Sequence, residues 1–328
     1  MVDLKTKYLG LELKNPIIIA SSGLTKSLDN IVKFEEQGAA AVVLKSLFEE
    51  QIMHEVSKVH HQSEDIYTYP EANDYIRNYS RQNSLEEYLK LIRDAKQKVS
   101  IPIIASINCL SDSEWTSFAK KIEEAGADAI ELNAFILPSD FKRNSEQNEK
   151  VYFKIIESVK KQVKIPIALK INHYFSSFAQ IAQKFSWSGI SGLVLFNRFF
   201  APDIDIENKK FLAANVYSKP EEIALPLRWV AILSGNVQCD IAATTGIHDG
   251  PGMVKMLLAG AKAVQICSTL YLNGFDTIQQ MHKFLYEWME TNNYKKMEDF
   301  IGVMSHKNTD NPAAYQRVQF MKHYAGVE

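Results

Sequence analysis

Cysteine is scarce in this chain of 328 residues: Cys109, Cys239 and Cys267 are the only three. An odd number without metal-ligand spacing offers no disulfide framework, no metal site and no iron–sulfur stretch, and it fits a reducing compartment. An excess of charge is lacking too. The 37 basic residues against 39 acidic ones leave a formal net charge of −2. No long block of one sign occurs, so neither nucleic acid nor an anionic membrane is an expected partner. The lysine-rich stretch 154–164 reads as a solvated helix face. No apolar run approaches the roughly 18 residues that cross a bilayer. The start, Met1-Val2-Asp3-Leu4-Lys5, has no charged segment followed by an apolar one, as a secretion signal would. A cytoplasmic protein is expected.

What is present is an alternation. Short apolar runs at 16–20, 41–46, 101–108, 129–133, 165–172, 192–197, 240–244 and 263–267 read as strands, and an amphipathic stretch follows each. The helices are expected at about 28–37, from Ser84 onward, 112–125, 149–162, 177–185, 221–233, 251–258 and 277–291. Ser84 with Glu87 would form a capping box. Eight such units predict a (β/α)8 barrel in one domain, 1–328, since about 250 residues plus insertions reach this length. Residues 4–13, turning at Gly10, read as a hairpin closing the barrel bottom, and the tail after Asn292 as packing across the barrel. The longest connection, 47–83, carries His54, His60, His61 and several tyrosines. It follows a strand, which places it over the C-terminal face as a lid or binding element.

Two strands carry a lysine near their ends, Lys45 and Lys170. A barrel interior is packed with branched apolar side chains, so a lysine there needs a reason. One reason is a flavin, which gains negative charge at N1 and the C2 carbonyl as it takes up hydride. A Schiff-base lysine of a lyase is another, and a side chain reaching solvent is the third. Strands 7 and 8 end in Thr244-Thr245-Gly246-Ile247 and Cys267-Ser268-Thr269. Loops at these places commonly bind phosphate. Gly246 would admit a close backbone approach, and the hydroxyls of Thr245 and Ser268 can donate; turn-forming alone would also account for them. Asn108, Asn133, Asn172 and Asn197 end four successive strands and would face one polar pocket, each amide offering donors and an acceptor to a heterocycle.

In order and spacing, these residues resemble the dihydroorotate dehydrogenase family. The similar segments are Asn15-Pro16 with Ala20-Ser21-Ser22-Gly23, Lys45-Ser46, Glu131-Leu132-Asn133, and Pro166-Ile167-Ala168-Leu169-Lys170. Asn197, Thr245-Gly246-Ile247, Leu258-Ala259-Gly260-Ala261 and Val264-Gln265-Ile266-Cys267-Ser268 complete them. The resemblance implies an FMN-containing barrel that oxidises dihydroorotate to orotate. FMN would contact Ala20, Ser21, Gly23, Lys45, Ser46, Asn108, Asn133, Lys170, Asn197, Thr245, Gly246, Ile247, Cys267 and Ser268. Lys45, Asn133 and Asn197 would also contact substrate, and Lys45 and Lys170 would act in catalysis. It further implies the soluble kind, using a small oxidant such as fumarate, as a homodimer. Two departures stand out. The family's Cys or Ser base after strand 4 is absent from Asn133-Ala134-Phe135-Ile136-Leu137-Pro138-Ser139, where only a displaced Ser139 could accept a proton. The orotate loop is replaced by Asn78-Tyr79-Ser80-Arg81-Gln82-Asn83, where Arg77 or Arg81 could clamp a carboxylate. An FMN enzyme for a different small cyclic substrate is therefore the alternative, and a Schiff-base lyase using Lys170 the alternative of another class.

Overall fold

A computed structural model describes residues 2–48, 70–108, 112–134, 136–199 and 201–317; the side chains of 48, 70–83 and 112–115 lie outside the description. Strands β3 (Ile17–Ile19), β4 (Ala41–Val43), β6 (Ile103–Asn108), β7 (Ala129–Asn133), β8 (Ile167–Ile171), β9 (Gly192–Leu195), β12 (Asp240–Thr244) and β13 (Ala263–Ile266) pair in parallel. The β4–β6 pairing closes the ring, so the expected barrel is formed. A short strand β5 (Leu47–Phe48) extends β6. Helices α1 (Leu28–Glu36), α2 (Pro70–Lys98), α3 (Asp112–Glu124), α4 (Ser145–Lys160), α5 (Phe178–Trp187), α6 (Ala224–Leu233), α7 (Gly250–Ala259) and α9 (Thr277–Thr291) pack outside. A short helix α8 (Ser268–Asn273) follows β13, and α10 (Ala313–Gln316) lies in the tail.

Strand alternation sorts the residues into two layers. Side chains such as Ile17, Ile19, Ile103 and Leu169 face the helices in one large buried cluster. Those facing the axis are small at the N-terminal end: Ala41, Ala129, Ala168, Ala242 and Ala263. Alanines alone would leave that end hollow. The N-terminal hairpin β1 (Thr6–Tyr8) and β2 (Leu11–Leu13) fills it with Tyr8, Leu9 and Leu13. Its turn places Leu9 and Gly10 at φ 56° and 77°, the left-handed pair of a tight hairpin. The plug needs a missing side chain opposite: a Cβ on Gly192 would lie 2.5 Å from Leu9 Cδ2. The Leu9 N–H donates to Asp240 Oδ2 at 2.8 Å, and Thr6 Oγ1 to the Lys262 carbonyl at 3.0 Å.

Several expectations need correction. Ser84 does not cap a helix, because α2 begins at Pro70 and carries Ser84 within it. Its first half, Pro-Glu-Ala-Asn-Asp-Tyr-Ile-Arg-Asn-Tyr, carries only the short apolar series Ala72, Tyr75, Ile76 and Tyr79 among polar residues. Most of the proposed lid, with His54, His60 and His61, lies outside the described residues, as do Cys109, Phe135 and the side chains of Arg77 and Arg81. Helix α4 starts at Ser145, earlier than expected, because Asn144 and Gln147 form a reciprocal capping box. The stretch expected as a loop over 198–220 contains a hairpin, β10 (Pro202–Asp205) and β11 (Lys210–Ala213). The described part of the tail, 292–317, starts against the N-terminal segment, where the Asp3 N–H donates to the Lys295 carbonyl at 2.9 Å. It runs along α6 and α7, where the N–H groups of Gly302, Met304 and His306 donate to the carbonyls of Leu257, Leu258 and Ala231.

The Asp240 carboxylate tethers the plug, although burial pushes it above the usual carboxylate range. Asp240→Ala leaves the Leu9 N–H without its acceptor and is expected to cost about 1–3 kcal/mol in urea unfolding. Asp240→Asn keeps an acceptor oxygen without the buried charge and should stay close to the parent.

Candidate active site

Above the alanine layer the inward positions turn polar. Two residues along from Ala129, Ala168 and Ala263 stand Glu131, Lys170 and Gln265, by the period of two in a strand. All three are buried. Lys170 Nζ lies 3.5 Å from Glu131 Oε1 and donates to Gln265 Oε1 at 3.2 Å. Gln265 Nε2 in turn donates to Glu131 Oε2. The contact of Nζ with Oε1 is an ion pair without hydrogen-bond geometry, since Oε1 has no hydrogen-bond partner among the described residues. Charges taken out of water this far need such partners. From below, the Tyr8 phenol is pushed well above its ordinary range, first by burial and then by the charges of Glu131 and Asp240.

Lys170 and Gln265 form the floor of a cavity of about 450 Å³ at the C-terminal mouth. This volume falls within the range of small-molecule pockets. One wall is Ala20-Ser21-Ser22-Gly23 with Lys45 and Ser46. Here the Ser46 N–H donates to Ser21 Oγ at 2.9 Å, and Ser46 Oγ lies 2.7 Å from Ser106 Oγ. Asn133 donates to Ser46 Oγ at 3.5 Å, while its own Oδ1 is buried without a hydrogen-bond partner among the described residues. Asn197 donates to the Lys170 carbonyl at 3.3 Å. The far end is made by Thr245, Gly246, Ile247, Cys267 and Ser268. Burial raises the Cys267 thiol above its usual range, against a hydrogen bond with Ser22 and the charge of Lys170.

The cavity thus brings together Ala20, Ser21, Gly23, Lys45, Ser46, Asn133, Lys170, Asn197, Thr245, Gly246, Ile247, Cys267 and Ser268. Three of the expected residues are not brought to the cavity. Asn108 ends β6 but is not among the lining residues. Asn172 is fully buried away from the cavity, donating to the Ile136 carbonyl and accepting from the Tyr174 N–H. Ser139 is exposed on the loop after β7 and does not line the cavity either. The reason for Gly246 also changes. It has φ 76°, and a Cβ there would meet Ile223 N at 2.2 Å, so the chain needs glycine to pack on the 220–223 turn. Lys45 lies two residues past the end of β4 instead of within the strand.

Glu131 and Gln265 went unassigned by residue type alone, although a polar residue at an inward strand position was the available signal. Nothing in the sequence pattern pointed to Ser218 or to Arg198, which also line the cavity. A Schiff base on Lys170 would need the paired ammonium first to give up a proton, for which the neighbouring group is Glu131.

The FMN implied by the resemblance would require a cation beside its ring, unpaired acceptors for its imide edge and donors at its phosphate end. Lys170 supplies the first, Asn133 Oδ1 the second, and the Ser268 hydroxyl the third, while the Thr245 hydroxyl lines the same end but donates to the Phe196 carbonyl at 3.3 Å. The residues present fit the group.

Buried ion pairs fail asymmetrically. Glu131→Leu or Lys170→Met alone strands a buried charge and is expected to cost about 3–5 kcal/mol in urea unfolding. The double variant should recover most of that loss; a purely additive loss would show that the two side chains are not coupled.

A sequence model of the family described as dihydroorotate dehydrogenase matches residues 3–289. The chain is 28% identical over 316 residues to the dihydroorotate dehydrogenase B (NAD(+)), catalytic subunit, of Thermoplasma volcanium, covering 92% of this chain and 99% of that one. The protein of the same name from Methanocaldococcus jannaschii is 28% identical over 308 residues, covering 92% and 97%.

Proposed function

The chain belongs to the dihydroorotate dehydrogenase family, and on that premise we propose that it is an FMN-dependent oxidoreductase converting dihydroorotate to orotate, a step of pyrimidine biosynthesis. The observation that carries this reading is the Lys170 ammonium, held by buried Glu131 in the floor of the mouth cavity. When bound, FMN supplies an acceptor at N5 for a hydride leaving a carbon–hydrogen bond.

Each residue then has a part. Lys170 offers a fixed cation where negative charge develops, and its partners hold it there without reorganisation. Asn133 and Asn197 hydrogen-bond the ring system and the substrate edge, and Lys45 takes the substrate carboxylate. Ala20, Ser21 and Gly23 form the wall against which a flat ring can lie. Thr245, Gly246, Ile247, Cys267 and Ser268 receive the ribityl phosphate end.

Removal of the second hydrogen, as a proton, is where this chain departs from its family. Ile136 and Leu137 stand where a base is expected, and the exposed Ser139 does not line the cavity. That observation supports a second reading, an FMN oxidoreductase for a different small cyclic substrate.

A cytoplasmic homodimer completes the proposal. No helix among the described residues is long and apolar enough to cross a membrane. The β10–β11 hairpin exposes Ile204, Ile206 and Phe211 (60%, 78% and 80%), an apolar surface suited to a second copy. The resemblance implies the soluble kind using a small oxidant such as fumarate, whereas the two relatives carry names with NAD(+).

Yellow protein mixed anaerobically with dihydroorotate should bleach at the flavin band. An intact flavin that stays oxidised would replace dihydroorotate by another substrate. Glu131→Gln combined with Lys170→Gln removes both charges together and should slow bleaching about 100-fold. Ser139→Ala should leave the rate unchanged.

A further inference from the structure

The cavity's phosphate end contains a serine–histidine pair that the family resemblance does not assign. Ser218 lies where the chain returns from the β10–β11 hairpin, and it lines the cavity. Its Oγ is 3.1 Å from His248 Nε2, and both residues are buried, at 7% and 9% exposure. The Ser218 N–H also donates to Ser268 Oγ at 3.0 Å. His248 is anchored in turn, since its carbonyl accepts from Thr269 Oγ1 at 2.9 Å.

Counting protons gives these contacts a direction. A hydroxyl has one proton to donate and two lone pairs that accept. Ser268 Oγ accepts from the Ser218 N–H, so its own proton is available to the cavity. If His248 Nε2 carries hydrogen, Ser218 Oγ is in the same condition: accepting from the protein behind it and donating in front. With the opposite tautomer, Ser218 would donate backwards and turn only lone pairs toward the cavity, which suits a cation and repels an anion.

The surroundings fix the segment and its charge. Arg198 donates to the carbonyls of Asn215 and Val216, at 2.8 Å each, and pairs with Glu222 at 2.9 Å. Burial works against the charge of Glu222, yet hydrogen bonds from Arg198 and the Lys219 N–H, with the charges of Arg198 and His248, hold its carboxyl below the usual range. The Glu222 carboxylate on the 220–223 turn thus interacts with His248 through its charge. It favours a ring that donates over one that presents lone pairs.

We propose that His248 donates from Nε2 to Ser218, so that Ser218 and Ser268 together turn their hydroxyl protons into the cavity and bind the terminal phosphate of the flavin nucleotide. Ser218 touches the phosphate; His248 is a positioning residue acting through it. The proposal rests on the FMN reading above and adds to it a serine–histidine contact on which affinity for the phosphate depends.

The test compares FMN with riboflavin, which has the same ring and lacks the phosphate. Affinities are measured by flavin fluorescence on the full-length protein after release of bound flavin. A hydrogen bond to a charged group is worth about 1.5–3 kcal/mol, so Ser218→Ala should weaken FMN binding about tenfold or more and leave riboflavin unchanged. His248→Ala should have a similar selective effect, His248→Gln, whose amide can donate, should restore much of it, and Ser218→Ala with His248→Ala should be no worse than Ser218→Ala. Equal weakening of both ligands, or unchanged FMN binding, overturns the proposal while leaving the cofactor reading intact. Parent protein that binds neither flavin overturns the cofactor reading, and the proposal with it.

Discussion

One ion pair inside the barrel organises the rest. Glu131 and Lys170 sit on adjacent strands, β7 and β8, and Gln265 reaches them from β13 across the axis. A lysine this deeply placed would be unstable by itself, and a glutamate equally so. Together they form a polar layer between two others. Below it, alanines and the Tyr8–Leu13 plug keep water out; above it, the axis opens into the mouth cavity. Exclusion of water from beneath is what lets a single ammonium act strongly on whatever occupies the space above it.

The plug and the active site are therefore one construction. Gly192 makes room for Leu9, Asp240 holds the Leu9 N–H, and the dry floor supports the charged layer. The opposite end is built differently. Gly246 is squeezed against the Ile223 backbone, and Arg198 binds the hairpin's return segment to Glu222. Residues that look like ligand contacts in the sequence thus serve partly to pack loops on one another, so that Ser218 and Ser268 meet at the cavity wall.

The barrel was legible because strand and helix periods alternate cleanly, and Lys170 because a charge interrupts Ile-Ala-Leu-Lys-Ile. Glu131 and Gln265 follow the same inward parity from Ala129 and Ala263 and could have been found by it. Asn172 shows where parity stops helping: it lies past the end of β8, where the chain turns and its amide serves the loop backbone. The first half of α2 escaped because its few apolar residues, Ala72, Tyr75, Ile76 and Tyr79, lie among many polar ones, and β10–β11 because their exposed residues carry no buried alternation. Ser218 and His248 are thirty positions apart, and no local pattern joins them.

The central claim is that a paired cation in the barrel floor stabilises negative charge in the cavity above it. The midpoint potential of the bound flavin, measured in the parent and in Lys170→Gln, tests this directly. Loss of the cation should make the potential more negative by roughly 30 mV or more, about 1.4 kcal/mol for a two-electron couple. An unchanged potential with flavin bound would contradict it.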